Sequence, residues 1–281
     1  MTNQKLLKTV AQRAVRRSGR LVYKNFHRIQ QVALRTRKEL VLRTDMQSEK
    51  IIINEIRRYF PEHNLLSEEC GQRTQGSDYT WVIDPLDGTV NYYNGITPFR
   101  IGLCVLYRNQ PTISAIYNPM KNNLYFAEKG RGAWLNQKRI RVSRRNDIHN
   151  CLIMTHLSSR KVARQLTIRQ LETLFQHNMR IRLFGCGLAG LTYIAQGTLD
   201  VFYNLLTYPW DILPGALLVK EAGGKVTETN GHKLTASSTS VLATNGKFHT
   251  PILHLIRQAQ VPVRFRKRVN QRIVTGETFI K

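Results

Sequence analysis

From Leu6 to about Phe26 the apolar residues Leu7, Val10, Ala14 and Leu21 recur at near-helical spacing with basic residues between them, which predicts an amphipathic helix. A second helix is predicted from about Met46 to Tyr59, with Ile52, Ile53 and Ile56 as its buried stripe and Phe60-Pro61 as its stop. Asp45 then stands at the N-terminus of that helix. After a polar loop from Gly71 to Tyr79, Trp81-Val82-Ile83 reads as a short buried strand ending on Asp84. Ile101 to Tyr107, Thr112 to Tyr117 and Asn123 to Ala127 read as successive strands of an antiparallel meander, separated by Asn-Gln-Pro and Asn-Pro-Met-Lys-Asn turns. Helices are predicted again near Lys161 to His177 and Leu188 to Gln196. A last one starts at Trp210-Asp211, carries Pro214 in its first turn, and stops at Gly223-Gly224. Beyond about Val261 the chain is basic and weakly patterned, a tail.

At 281 residues, 42% of them apolar and spread throughout, the chain fits one large domain or two closely packed subdomains and not a disordered or fibrous class. Cys70, Cys104, Cys151 and Cys186 are far apart and form no C-x-x-C pair, so reduced thiols are expected in place of a zinc site or disulfide framework. The N-terminus is basic without the apolar run of a signal peptide, and no stretch reaches membrane-span length, so a cytoplasmic protein with no membrane partner is expected. The net charge of +25 attracts phosphorylated small molecules, nucleic acid and anionic membranes alike and does not choose among them. The basic residues are dispersed, with dense runs only at 13–20, 35–38, 139–145 and 264–268, which fits a solvated basic surface somewhat better than a dedicated RNA-binding one.

The chemistry is concentrated in Trp81-Val82-Ile83-Asp84-Pro85-Leu86-Asp87-Gly88-Thr89-Val90-Asn91, where two acids flank a rigid Pro-Leu turn directly after a buried strand. Such a turn can aim both acids at one point. Hard divalent cations such as Mg²⁺ prefer a few carboxylate oxygens and keep positions for water and substrate phosphate. Gly88 permits close backbone approach, and Thr89 offers a hydroxyl and an N–H at the start of a short helix, a setting that suits phosphate. Asp-Gly-Thr by itself would equally read as an ordinary acidic turn capping a helix.

What tips that balance is resemblance. The stretch resembles the first signature of the inositol monophosphatase family, Asp-Pro-Leu/Ile-Asp-Gly-Thr-x-Asn, and a second signature is matched by Trp210-Asp211-Ile212-Leu213-Pro214-Gly215 through Glu221-Ala222-Gly223-Gly224. Leu40 to Asp45 is similar to the family's Leu-Val-Thr-x-x-Asp, with Leu42 in place of Thr. Ser67-Glu68-Glu69 is similar to its Gly/Ser-Glu-Glu segment, and Ala127 to Gly132 with Ala133 and Asn136 to its Gly-x-Gly-Ala hairpin. The likeness covers roughly Leu6 to Leu255.

The resemblance implies an α/β fold, the layered αβαβα sandwich shared with fructose-1,6-bisphosphatases. Its N-terminal subdomain would span 1–145, its C-terminal subdomain 146–262, and a basic tail 263–281. It implies a Mg²⁺-dependent, lithium-sensitive phosphatase acting on a small phosphorylated substrate, inositol 1-phosphate foremost. Glu68, Asp84, Leu86, Asp87 and Asp211 would form the metal set, with Asp45 joining through water and Glu69 a neighbour only. Glu68 and Thr89 would orient the attacking water, and Gly88 and Thr89 would grip phosphate through their amides. Gly185, Cys186 and Asn204 would line the substrate wall with Asp87 and Asp211. Inositol-preferring members carry Gly-Thr-Ala and a Glu where this chain has Gly185-Cys186-Gly187 and Asn204, so other substrates of the superfamily stay open: fructose 1,6-bisphosphate, 3′-phosphoadenosine 5′-phosphate and histidinol phosphate. A homodimer is expected. Because some bacterial members act in ribosomal RNA antitermination, so is possible contact with RNA or a transcription complex.

Overall fold

The computed structural model describes residues 4–35, 40–177 and 179–259; the predicted basic tail lies outside the described residues. In chain order these form α1 (Gln4–Asn25), β1 (Val32–Arg35), β2 (Leu40–Leu42), α2 (Arg43–Arg57), β3 (Asn64–Ser67), β4 (Gly71–Arg73), β5 (Tyr79–Asp87) and α3 (Thr89–Tyr93). There follow β6 (Arg100–Tyr107), β7 (Gln110–Asn118), β8 (Asn123–Glu128), β9 (Gly132–Leu135), β10 (Lys138–Ile140), β11 (Leu152–Thr155), α4 (Lys161–Gln176) and β12 (Arg180–Leu183). The last elements are α5 (Gly187–Ala195), β13 (Val201–Leu205), α6 (Pro209–Glu221), β14 (Lys225–Thr227), β15 (Ser240–Thr244) and α7 (His249–Gln258).

Five layers result. The α1/α2 pair buries Val10, Ala14, Val22, Ile52 and Ile56 against one face of an eight-stranded sheet, order β10-β9-β8-β7-β6-β5-β3-β4, through Trp81, Ile83, Leu103 and Val105. The other face of that sheet, through Val82, Cys104 and Ile116, meets the α5/α6 pair at Leu188, Leu191, Leu213 and Leu217. Beyond lies a five-stranded sheet, order β12-β11-β13-β15-β14, and α4 and α7 close the stack with Leu174, Ile252 and Ile256. Alternating Trp81/Val82/Ile83 onto opposite faces is the period-two consequence of a strand buried on both sides. This is the αβαβα architecture expected from the sequence.

Three local expectations need correction. The strand expected to end on Asp84 runs on to Asp87, because its pairing with β6 resumes at Asp87–Arg100 after a register shift. Pro85 has no N–H to give the ladder, so the break falls there as a bulge. The polar loop after Gly71 contains the short strand β4, paired with β3. Helix α6 begins at Pro209, which places Pro214 in its second turn, where its ring leaves the carbonyl of Trp210 without the usual helical donor.

Candidate functional site

In a regular strand, residues three apart point to opposite faces. The bulge between Asp84 and Asp87 undoes that alternation, and it is how one strand delivers two acids to the same cleft. β3 pairs with β5 in parallel, with Ser67 opposite Ile83, so the next residue along, Glu68, emerges beside Asp84 at the same end of the sheet. Asp45 arrives from the first turn of α2 and Asp211 from the first turn of α6. The sequence-predicted acids therefore come from the layers on either side of the large sheet and from the sheet itself. Mutual repulsion is felt throughout the set: Glu68 by Asp211, Glu69, Asp45 and Asp87, and Asp84 by Glu68, Asp87 and Asp211.

Their environments differ. Asp45 is buried, and its Oδ2 accepts from the N–H of Leu42 at 2.6 Å; burial lifts its carboxyl to about 7 against those donors. Asp211 Oδ2 accepts from the Thr207 hydroxyl (2.6 Å) and the Tyr208 N–H (2.9 Å), and burial with the nearby Asp87 charge raises it to about 6. Asp87 Oδ2 takes the Leu188 N–H (2.5 Å), at the first turn of α5, and the Cys186 thiol (3.1 Å). Burial still pushes Asp87 above the ordinary carboxylate range, with those donors and Arg100 opposing. Asp84 is wholly buried; Oδ1 accepts from the Leu86 N–H at 3.2 Å and Oδ2 has no partner. Burial first, then the neighbouring acids, lift Asp84 and Glu68 well above their ordinary values.

Among the described residues no three His, Cys, Asp or Glu side chains close into a finished cation cage. Repelling acids are expected to stand apart. The donor set nonetheless fits a hard cation, because it is all oxygen, it is recessed, and it includes a buried carboxylate oxygen with no proton donor of its own. Leu86 has a buried apolar side chain, so only its carbonyl could serve; that oxygen accepts from Thr89 Oγ1 at 2.9 Å, and the same hydroxyl stands 3.4 Å from Asp45 Oδ1. Gly88 has φ +90°, and a Cβ there would meet the Pro98 carbonyl at 3.0 Å, so the turn between Asp87 and Thr89 requires glycine.

Of the residues expected to line the substrate, Gly185 and Cys186 lie at the entry to α5, joined to the acids by the Cys186–Asp87 contact. Asn204 is buried near the end of β13, its Oδ1 accepting from the Leu205 N–H at 2.9 Å.

The pattern that describes the inositol monophosphatase family matches residues 3–261. The chain belongs to the inositol monophosphatase family. It is similar to a Thermotoga maritima protein named fructose-1,6-bisphosphatase/inositol-1-monophosphatase, at 31% identity over 245 residues, covering 87% of this chain and 93% of that one. It is also similar to the protein named Nus factor SuhB of Escherichia coli K12, at 34% over 228 residues, 79% of this chain and 85% of the relative. The crystal structure of the extragenic suppressor protein suhB of Bartonella henselae superposes with TM-score 0.86 at 29% identity, covering 91% of this chain and all of the other. Family membership makes the protein a phosphatase of small phosphorylated substrates, and the family is generally Mg²⁺-dependent.

Two residues beside these acids escape a reading of the sequence. Asn91 closes the signature, yet nothing in its spacing says that its amide donates to the carbonyls of Pro98 (2.9 Å) and Phe184 (2.6 Å), stitching the Asp-Gly-Thr turn to the loop before Gly185. Arg100 stands opposite Asp87 in the β5–β6 register and is 2% exposed, with its Nε unpartnered and its guanidinium over the Tyr193 ring. An arginine inside an apolar strand is a visible anomaly of Phe99-Arg100-Ile101, and that was the available signal.

Proposed function

We propose that this protein hydrolyses small phosphate monoesters with Mg²⁺, inositol 1-phosphate being the first candidate substrate and water the nucleophile. The observation that carries the reading is the bulged turn of β5, which brings Asp84 and Asp87 to one end of the sheet beside Glu68, with a buried Asp84 oxygen left without a donor. Glu68, Asp84, Asp87, Asp211 and the Leu86 carbonyl would hold Mg²⁺, which when bound would supply Lewis acidity toward phosphate and toward the attacking water. Glu68 and Thr89 orient the attacking water, and the Thr89 hydroxyl passes its own hydrogen bond to the Leu86 carbonyl or to Asp45. The amides of Gly88 and Thr89 hold the phosphate. Asp87, fixed by the Leu188 N–H, and Asp211, fixed by Thr207 and Tyr208, present their remaining oxygens toward the substrate. Gly185, Cys186 and Asn204 bound the alcohol portion, and lithium inhibits at one metal position.

Rates on inositol 1-phosphate, fructose 1,6-bisphosphate, histidinol phosphate and 3′-phosphoadenosine 5′-phosphate, each with Mg²⁺ and with EDTA, test this. Full turnover in EDTA would overturn it. The protein is taken to work in the cytoplasm as a homodimer; exposed Leu183 and Phe184 beside β12, an edge strand among the described residues, support self-association.

The +25 charge and the likeness to a protein named Nus factor favour a second reading compatible with the first, contact with RNA or a transcription complex. Backbone-phosphate binding releases counterions, so affinity for RNA should fall steeply between about 50 and 200 mM salt. A flat response would exclude it.

A further inference from the structure

One turn of α2 touches each acid-bearing segment of the large sheet. Asp45, Ser48 and Glu49 are spaced i, i+3 and i+4, hence on one face of the helix. Asp45 joins the acids directly. Ser48 donates to the Pro85 carbonyl at 2.6 Å, inside the bulge that separates Asp84 from Asp87. Glu49 reaches the other segment: its Oε1 accepts from the Ser67 hydroxyl and from the N–H groups of Glu69 and Cys70, each of the latter at 3.1 Å. Those three donors lie on both sides of Glu68. Glu49 is 6% exposed and Ser67 fully buried, and among the described residues no Lys or Arg forms an ion pair with Glu49.

We infer that Glu49 is a positioning residue of this phosphatase, its carboxylate fixing the segment 67–70 so that Glu68 is presented to the metal and the attacking water. The inference rests on the role proposed above for Glu68. β3 ends at Ser67 and β4 starts opposite it at Gly71, with φ +71°, so residues 68–70 form the tight turn of this hairpin. Glu68 donates its amide to the Ile83 carbonyl at 3.3 Å, while the next two amides are given to a side chain from another layer. The placement of Glu68 is thereby tied to α2, the same rigid element that carries Asp45 and pins the Asp84–Asp87 turn. Without the Glu49 oxygen, two partly buried amides and a buried hydroxyl lose their acceptor and the turn must rearrange to satisfy them.

The test uses the full chain as wild type, Glu49→Ala, Glu49→Gln, Ser67→Ala and Glu68→Gln, with inositol 1-phosphate and Mg²⁺. Partners that orient metal ligands are typically worth about 10–100-fold in metal affinity or activity. Glu49→Ala should therefore raise the half-saturating Mg²⁺ concentration and lower kcat by roughly tenfold or more, leaving KM within about threefold. Hydrogen exchange at the amides of Glu69 and Cys70 should quicken without Mg²⁺ or substrate present. Glu49→Gln keeps an acceptor oxygen and should recover most of the loss. Ser67→Ala, which removes one donor and leaves Glu49 in place, should shift the Mg²⁺ response in the same direction by a smaller factor, and it decides the matter if Glu49→Ala does not fold. A folded Glu49→Ala, or failing that a Ser67→Ala, with wild-type Mg²⁺ response beside an inactive Glu68→Gln would overturn the role of Glu49 alone. A fully active Glu68→Gln would overturn the reading of Glu68 itself, and the positioning role with it.

Discussion

Asp45 and Asp211 occupy the same place on two helices, the third residue of α2 and of α6, and each turns an oxygen back to the N–H at its helix start. Asp84 stands at a strand bulge instead, wholly buried, with one weakly placed donor for one oxygen and none for the other. The helix acids have a structural job that backbone amides and the helix dipole support whatever else enters the cleft. The strand acid has no such support. The comparison teaches that one carboxylate cluster mixes two kinds of acid, and that charge removal should affect them differently.

The largest effect is expected at the strand acids. Asp84→Asn and Asp87→Asn keep side-chain volume and delete a charge, so turnover should fall by at least about 100-fold. Without metal the same exchange at Asp84 removes the cost of burying that carboxyl and, after it, the repulsion from Glu68, Asp87 and Asp211, so the variant's melting temperature in EDTA should rise above wild type by a few degrees, at about 2–4 °C per kcal/mol for a chain of this size. A variant that is both inactive and less stable in EDTA would deny that Asp84 is an uncompensated charge.

Next in size is the capping contribution. Asp211→Asn retains an acceptor for Thr207 and Tyr208, whereas Asp211→Ala does not. The difference in stability between these two variants should be about 0.5–2 kcal/mol in favour of Asn, read from thermal or urea unfolding in EDTA. Equal stability would mean that Asp211 caps nothing and belongs with Asp84.

How much of this was readable beforehand follows the same division. Helical spacing exposed α1, α2, α4, α5 and α6, because it is local; the candidate acids came from the resemblance, Asp84, Asp87 and Asp211 from its two signatures and Asp45 and Glu68 from the segments before them. The bulge was not readable: Pro85 announces a break, but only pairing with β6 shows that the strand resumes at Asp87. The short strands β1, β4, β12 and β14 were not seen either, since three or four residues carry too little alternation to stand out. Asn91, Arg100 and Glu49 act through partners 7 to 93 residues away in sequence or across a strand register, information that no window holds.

A smaller effect separates the acids by pH. Asp45 is raised to about 7 and Asp211 to about 6, from an ordinary 3.8. Between about pH 4 and 7 the unfolded chain therefore releases these protons before the native chain does, and the metal-free protein loses stability as pH rises through that window. A bound cation compensates the charge that appears, so the gain in melting temperature on adding Mg²⁺ should be larger at pH 8 than at pH 5. Asp45→Asn should flatten the metal-free profile. A Mg²⁺ increment independent of pH would show that these two acids do not share the cleft with the metal.

The smallest expected change concerns Asn204, which stands on β13 and already spends its oxygen on the Leu205 N–H. Its NH₂ is a donor where inositol-preferring relatives present a carboxylate, and an amide and a carboxylate satisfy different hydroxyl patterns. Glu would add a methylene at a position only 2% exposed, whereas Asp replaces the NH₂ by an acceptor without changing volume. Asn204→Asp should therefore fold, keep the rate on glycerol 2-phosphate within about threefold, and raise kcat/KM for inositol 1-phosphate relative to it by roughly fivefold, the worth of one better-matched polar contact of about 1 kcal/mol. The metal chemistry should not move, since no metal oxygen is exchanged. If the ratio stays at its wild-type value while the variant is folded, Asn204 is a strand-end residue of the small sheet and the substrate wall must be sought nearer Cys186, on the entry to α5.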